Sequence, residues 1–471
     1  MDAMPRLDLH PDRMLPADPT LRPLAREIYQ SVRDLPIISP HGHVPPQWLA
    51  DDVPFGDPTS LLITPDHYVN RMLHADGVAL SDLGVGQADF GPERARNAFR
   101  LLCSHWKAYR GTPVKFWFES ELADIFGIDV APSAETADAI YDGIAAQLTT
   151  PAFRPRALYQ RFNLEFIATT DDPCDDLVHH AKLAADPTWT GTVAPTFRPD
   201  KYLEASTPAW NGLVDTLGEV SGIDTGTYAG WVAAMENRRA FFKAHGAVST
   251  DHSHGDVRAE KIPDADAERL YALARAGRIT PDEADTLRRN FVFDQARMAA
   301  DDGLVMTIHP AVFRNHHPGT CERFGADVGG DIPLQVEYTR ALQPMLAAFG
   351  TAPTFQLVIF TMDETVFSRE LAPLAGFYPS VYIGVPWWFI DAPDAMARFR
   401  GAVETAGFTR TSGFIDDTRA YLSIPARHDL ARRIDSGYLA KLVGEHRLTL
   451  DEALDTAHDL VVTNPRKAFK L

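Results

Sequence analysis

Cysteine is scarce in this chain, with only Cys103, Cys174 and Cys321 among 471 residues. They are widely spaced, odd in number and form no CxxC pair, which argues against a disulfide framework and a thiolate zinc site and fits a reducing cytoplasm. No run of 18 or more apolar residues occurs, and the amino terminus mixes charges and prolines where a secretion signal would be apolar. A soluble, unprocessed, cytoplasmic protein is therefore expected. Basic runs are missing too. With 45 Lys and Arg against 64 Asp and Glu the formal charge is −19, which disfavours nucleic acid or an anionic membrane as partner. A small-molecule partner fits better, and an anionic one stays compatible because a few pocket arginines set the local potential. A homo-oligomeric state is left open. There is no internal repeat and no low-complexity segment.

What the chain does contain is a recurring alternation. Eight short apolar runs end abruptly in polar residues: Pro36–His41, Glu165–Asp172, Ala194–Arg198, Gly246–His252, Leu304–His309, Phe355–Thr361, Val381–Trp387 and Ser412–Thr418. Between most of them lie helical patterns, so the runs read as parallel strands buried on both faces, and eight repeats predict an α/β fold of the (β/α)8, TIM-like barrel type. A doubly wound sheet would usually carry a Gly-rich phosphate turn after its first strand, and HGHVPP is not one. No nucleotide cofactor is expected. The long stretch between the first two runs predicts a mostly helical insertion, residues 47–160, covering the barrel mouth within one elaborated domain of residues 1–471. The tail from His428 reads as closing helices.

Barrel enzymes build their sites at the carboxyl ends of the strands, where this chain places His41, Asp171, Arg198, His252, His309, Thr361, Trp387 and Asp417. His41 and His43 are two apart and project to one side, with Gly42 between them leaving the approach open. Asp417, at the end of the eighth run, is next to the first strand in a closed barrel. Two imidazoles and a carboxylate make a site for one divalent metal ion, with zinc expected and positions left for substrate oxygens. Asp416 and Asp417 as mere helix caps is the competing reading, against which Arg419 points a second functional group into the same mouth. Arg198 and Arg314 can hold a carboxylate bidentately. His309 is assigned to the site, and His316 and His317 to the neighbouring loop. TPDHYVNRML offers His67, Tyr68 and Arg71, of which the tyrosine could shuttle a proton, although tyrosine at helical spacing is more often packing. Trp387 and Trp388 could form a sugar-stacking wall.

These segments, in order, resemble the uronate isomerases, a branch of the amidohydrolase superfamily. The resemblance runs over essentially the whole chain through ISPHGH, TPDHYVNRML, HWKAYRGTP, ATTDDPCDDL, PTFRPD, STDHSHGD, IHPAVFRNHHPGT, PWWFIDAP and FIDDTRAYLSIPARHDLARR. It implies aldose-ketose isomerisation of D-glucuronate to D-fructuronate and D-galacturonate to D-tagaturonate. It also implies His41, His43 and Asp417 as metal ligands, Tyr68 as the active-site tyrosine, and Arg198 and Arg419 as the strand-end arginines. An enediol shift needs a base, an acid and a polariser of the sugar oxygens. Asp417 or a hydroxide on the ion is expected as base and Tyr68 as proton shuttle, with no lysine to bridge a second ion. The segments GVPWWF and RNHH depart from the family's GSGWWF-like and RNNN forms, leaving the preferred epimer open. The alternative on this fold is a metal-dependent hydrolase of a sugar-acid ester, lactone or amide.

Overall fold

The computed structural model describes residues 6–471, and the first five residues of the amino-terminal stretch lie outside it. Among the described residues there are nine strands: β1 (Ile37–Ser39), β2 (Leu164–Ala168), β3 (Thr192–Ala194), β4 (Ser249–His252), β5 (Val305–Ile308), β6 (Val312–Phe313), β7 (Ile332–Pro333), β8 (Leu357–Ile359) and β9 (Val381–Ile383). β1, β2 and β3 form one parallel sheet; β4, β5, β8 and β9 form another, each in that order. β6 and β7 pair as a small antiparallel hairpin between β5 and β8. Leu357, Val358 and Ile359 are all fully buried, so consecutive residues pointing to opposite faces both find apolar cover, as a parallel sheet flanked by helices requires.

Hydrogen bonds carry this order around a ring. Beyond β3, Phe197 N–H donates to Ser249 O (3.3 Å) and Phe197 O accepts from Asp251 N–H (3.0 Å), joining the two sheets. At the far side Ser412 N–H donates to Ile383 O (2.9 Å), and His43 N–H donates to Thr418 O (3.0 Å), which returns the ring to the segment after β1. The Ser412–Thr418 run is in its expected place but forms no regular strand. Gly413 has φ +71°, with the space for a Cβ taken by Pro465 and Leu460 O, and Asp417 has φ 39°. Two left-handed residues in seven break an extended ladder.

Seven α-helices lie between β1 and β2, from Pro46–Asp51 to Pro155–Arg161. The helix His67–Ala75 begins where the Asp66 side chain accepts from Tyr68 N–H (2.8 Å), an N-cap that points its first turn at the carboxyl ends of the strands. At the other end of the chain, Ile424–Gly444 packs on Leu21–Val32 through a cluster that includes Ala25, Ile28, Leu439 and Ala440. No described helix is long and apolar enough to cross a membrane.

Candidate active site

The bond from His43 N–H to Thr418 O sets the register that brings Asp417 opposite the two histidines. Asp417 Oδ1 stands 3.5 Å from His41 Nε2 and 3.1 Å from His43 Nε2. Yet this oxygen makes no hydrogen bond, so three ligand atoms converge without satisfying one another. That is what a cation site looks like from the protein side, and two imidazole nitrogens with one carboxylate oxygen could hold a divalent metal. Burial alone would raise the Asp417 pKa, but His41, His43 and His309 outweigh it and keep the carboxyl well below its usual range. Burial lowers the His43 pKa against the pull of Asp417, so the ring is neutral and able to ligate. Gly42 is not needed to keep the approach open: a Cβ there would meet Ala168 O and Thr418 O at ordinary contact distances of 3.5 Å.

Next to this group His309 lies stacked between His41 (centroids 4.6 Å) and Phe360 (4.3 Å), with Trp387 edge-on at 4.7 Å. Its Nδ1 is 2.7 Å from Asp251 Oδ1, while its Nε2 is buried, without a hydrogen-bond partner, 3.9 Å from Asp417 Oδ2. Burial lowers the His309 pKa, opposed by Asp251. An Nδ1–H donated to Asp251 leaves the Nε2 lone pair facing the cavity. Asp251 is itself held ionised, because Arg198, His309 and His41 outweigh the cost of its burial.

Tyr68 closes the opposite side. Its hydroxyl faces Asp391 Oδ2 at 3.5 Å, and Arg427 donates to the same oxygen at 2.7 Å while its guanidinium covers the rings of Tyr68 and Trp117. Burial, then the charge of Asp391, pushes the phenol well above its ordinary range, so it keeps its proton at neutral pH. Burial pushes Asp391 up to about 8 against the pull of Arg427. Burial and Arg419 drop His67 to about 3.

The three arginines differ in their commitments. Arg198 pairs with Asp200 (2.9 Å) and Asp251 (3.3 Å), and Arg314 with Asp331 (2.8 Å) and Ser253 Oγ (3.0 Å). Arg419 has one carboxylate neighbour, Asp327, at 3.6 Å.

One cavity of about 250 Å³ gathers His41, His43, His67, Tyr68, Arg198, His309, Arg314, Trp387, Trp388, Asp417 and Arg419. Arg71 is not among them: it lies over Phe389 (4.6 Å), one turn down a helix that reaches the cavity only with its first residues. Of the strand ends, Asp171, His252 and Thr361 also stay outside. Asp251 takes the place of His252, since successive residues of β4 face opposite ways and the run's last polar residue is on the wrong face. Asp66, Asp327 and Thr418 also line the cavity without having been singled out in the sequence. Asp66 was legible as an N-cap; Asp327, in the loop between β6 and β7, gave no signal.

Comparison with known proteins adds a family to this geometry. A profile described as glucuronate isomerase matches residues 20–469. A uronate isomerase of Cutibacterium acnes is 56% identical over 468 residues, 99% of each chain, and one of Rhizorhabdus wittichii is 50% identical over the full length of both. A crystal structure of glucuronate isomerase from Caulobacter crescentus superposes with a TM-score of 0.96 at 45% identity, covering 99% of this chain and 97% of the other.

Proposed function

The chain belongs to the glucuronate isomerase family, and from that premise we propose that it interconverts D-glucuronate with D-fructuronate, and D-galacturonate with D-tagaturonate, through an enediol. The observation that carries the mechanism is one cavity in which a free imidazole nitrogen, a protonated phenol and the loosely paired Arg419 surround the convergent His41, His43 and Asp417. Its volume suits a six-carbon acid, being below the range usual for drug-sized ligands.

We assign zinc to His41, His43 and Asp417; when bound, it would polarise the sugar's oxygens. The remaining steps belong to side chains. His309 Nε2, buried without a hydrogen-bond partner and oriented by Asp251 at Nδ1, is the group placed to take the C2 proton, while Asp417 is committed to the ligand group. Tyr68 works from its protonated state, giving its proton to the developing oxygen and recovering it as the carbonyl forms at C2. Arg419 receives the C6 carboxylate, Trp388 and Trp387 wall the sugar, and Arg198 and Arg314 hold the acidic groups that frame the pocket. Residues 47–160, which supply His67 and Tyr68, form the cover of a single domain spanning 1–471, acting in the cytoplasm. A hydrolase on the same scaffold is the weaker reading, because the named relatives are isomerases over their full length.

Incubating zinc-loaded protein with D-glucuronate and with D-galacturonate should produce the ketouronates. No ketouronate from either sugar refutes the reading, and release of an alcohol or amine from a uronate ester or amide would install the hydrolase in its place.

A further inference from the structure

A second group of ligand atoms lies behind Arg198, on the other side of β4. His252 ends that strand one residue past Asp251 and so projects from the opposite face. His254 follows two residues later, and Asp200 starts the short helix after β3. One nitrogen of each imidazole and a carboxylate oxygen of Asp200 all lie within 4.8 Å of one another, with His254 Nε2 3.6 Å from Asp200 Oδ1. The histidines are 1% and 6% exposed, and His252 Nδ1 and His254 Nε2 have no hydrogen-bond partner.

The other nitrogen of each ring is occupied. His254 Nδ1 is 2.8 Å from Glu204 Oε1, and His252 Nε2 is 3.1 Å from Thr250 Oγ1. Donating those N–H groups leaves a lone pair at the inner nitrogen of each ring, and a carboxylate or hydroxyl behind the ring is the outer partner that metal-bound histidines keep. Two inward lone pairs then face a carboxylate oxygen, and neither inner ring nitrogen has a hydrogen-bond partner. Asp200 is fixed by Ser253 N–H, which donates to both its oxygens at 3.1 Å, and by Arg198 Nε at 2.9 Å. The ligand atoms of a tetrahedral zinc stand about 3.3 Å apart, so the side chains close by no more than about an ångström and a half onto an ion.

We propose that Asp200, His252 and His254 form a second divalent-cation site of zinc type, separate from the His41, His43 and Asp417 group. Its role is architectural. The ion would anchor Asp200, and through it Arg198, at the edge of the cavity. This does not depend on which sugar the protein isomerises, because the test reads metal and not turnover.

Protein stripped with chelator, titrated with Zn²⁺ and desalted should retain two zinc per chain by elemental analysis. His41→Ala with His43→Ala should retain one, and His254→Gln in the otherwise unchanged protein should also retain one. Adding His254→Gln to the double variant should leave none. Co²⁺ loaded into the double variant should give the intense visible absorption of a tetrahedral ion, lost on adding His254→Gln. Circular dichroism of the metal-free proteins checks the fold, and Asp200→Asn substitutes if His254→Gln does not fold. One zinc in the wild type that vanishes in the double variant overturns the proposal, as does a second equivalent that survives His254→Gln or Asp200→Asn in a folded chain.

Discussion

Replacing Arg419 by methionine removes a charge while keeping most of the side chain's length. In the structure the guanidinium spends little on the protein, since its one acidic neighbour is at 3.6 Å, beyond a hydrogen bond, and the side chain is 30% exposed. On the proposed assignment, what the substitution deletes is mainly the pair with the sugar's carboxylate. Two charge-assisted hydrogen bonds are worth about 1.5–3 kcal/mol each, and partial exposure trims the sum, giving a loss of about 2–5 kcal/mol. At about 1.4 kcal/mol per decade, kcat/KM for D-glucuronate should fall between about 30-fold and a few thousand-fold. On that assignment the carboxylate, at C6 and away from the reacting C1 and C2, would be held alike in ground and transition states, so most of the loss should appear in KM. Arg419→Lys should recover part of it. Steady-state kinetics on both uronates, with a neutral aldohexose as control, measures this. A change below threefold in Arg419→Met, or an equal loss on the neutral sugar, refutes the assignment. Arg198→Met should behave differently, lowering kcat and stability together, because it strands the carboxylates of Asp200 and the fully buried Asp251.

In D2O, product formed through an enediol should carry deuterium at C1; complete retention of the substrate's C2 hydrogen would point to a hydride shift. His309→Gln and Asp417→Asn should each cost at least about a hundredfold in kcat, the first by removing the proposed base and the second by loosening the candidate ligand group; near-normal turnover in either would remove that residue from the mechanism. Burial pushes the Glu121 carboxyl up to about 8, adding to the effect of Asp66 and against that of Arg427. With the folded pKa above the unfolded value, the stability it confers is complete below about pH 4.5 and is lost as pH rises through about 8, a swing on the order of a few kcal/mol. Glu121→Gln should flatten that part of the denaturation-versus-pH curve, and an unchanged slope would contradict the burial argument.

Most of the cavity could be read from the sequence because a barrel puts function where apolar runs stop, and a run's end is visible without coordinates. The failures have local causes. Asp251 and His252 are neighbours, and choosing the wrong one is a one-residue ambiguity that flips the face. Arg71 shares a helical face with His67, yet only the first turn of that helix reaches the strand ends. The eighth run looked like a strand by composition, but Gly413 and Asp417 take left-handed conformations that composition does not reveal. Asp327 reaches the cavity from a hairpin loop with no periodicity to mark it.

The ring closes between residues from opposite ends of the chain, His43 and Thr418, and the candidate ion site straddles that same seam. During synthesis, His41 and His43 leave the ribosome long before Asp417 exists, and contacts between such distant parts of a sequence form late in folding. A growing or carboxyl-truncated chain therefore offers only a loose pair of imidazoles, and the three-ligand group of the candidate cation site becomes a property of the finished molecule. An ion that binds only the closed arrangement would pull that closure toward completion by mass action, so refolding yield should rise with divalent cation present if the three groups ligate one.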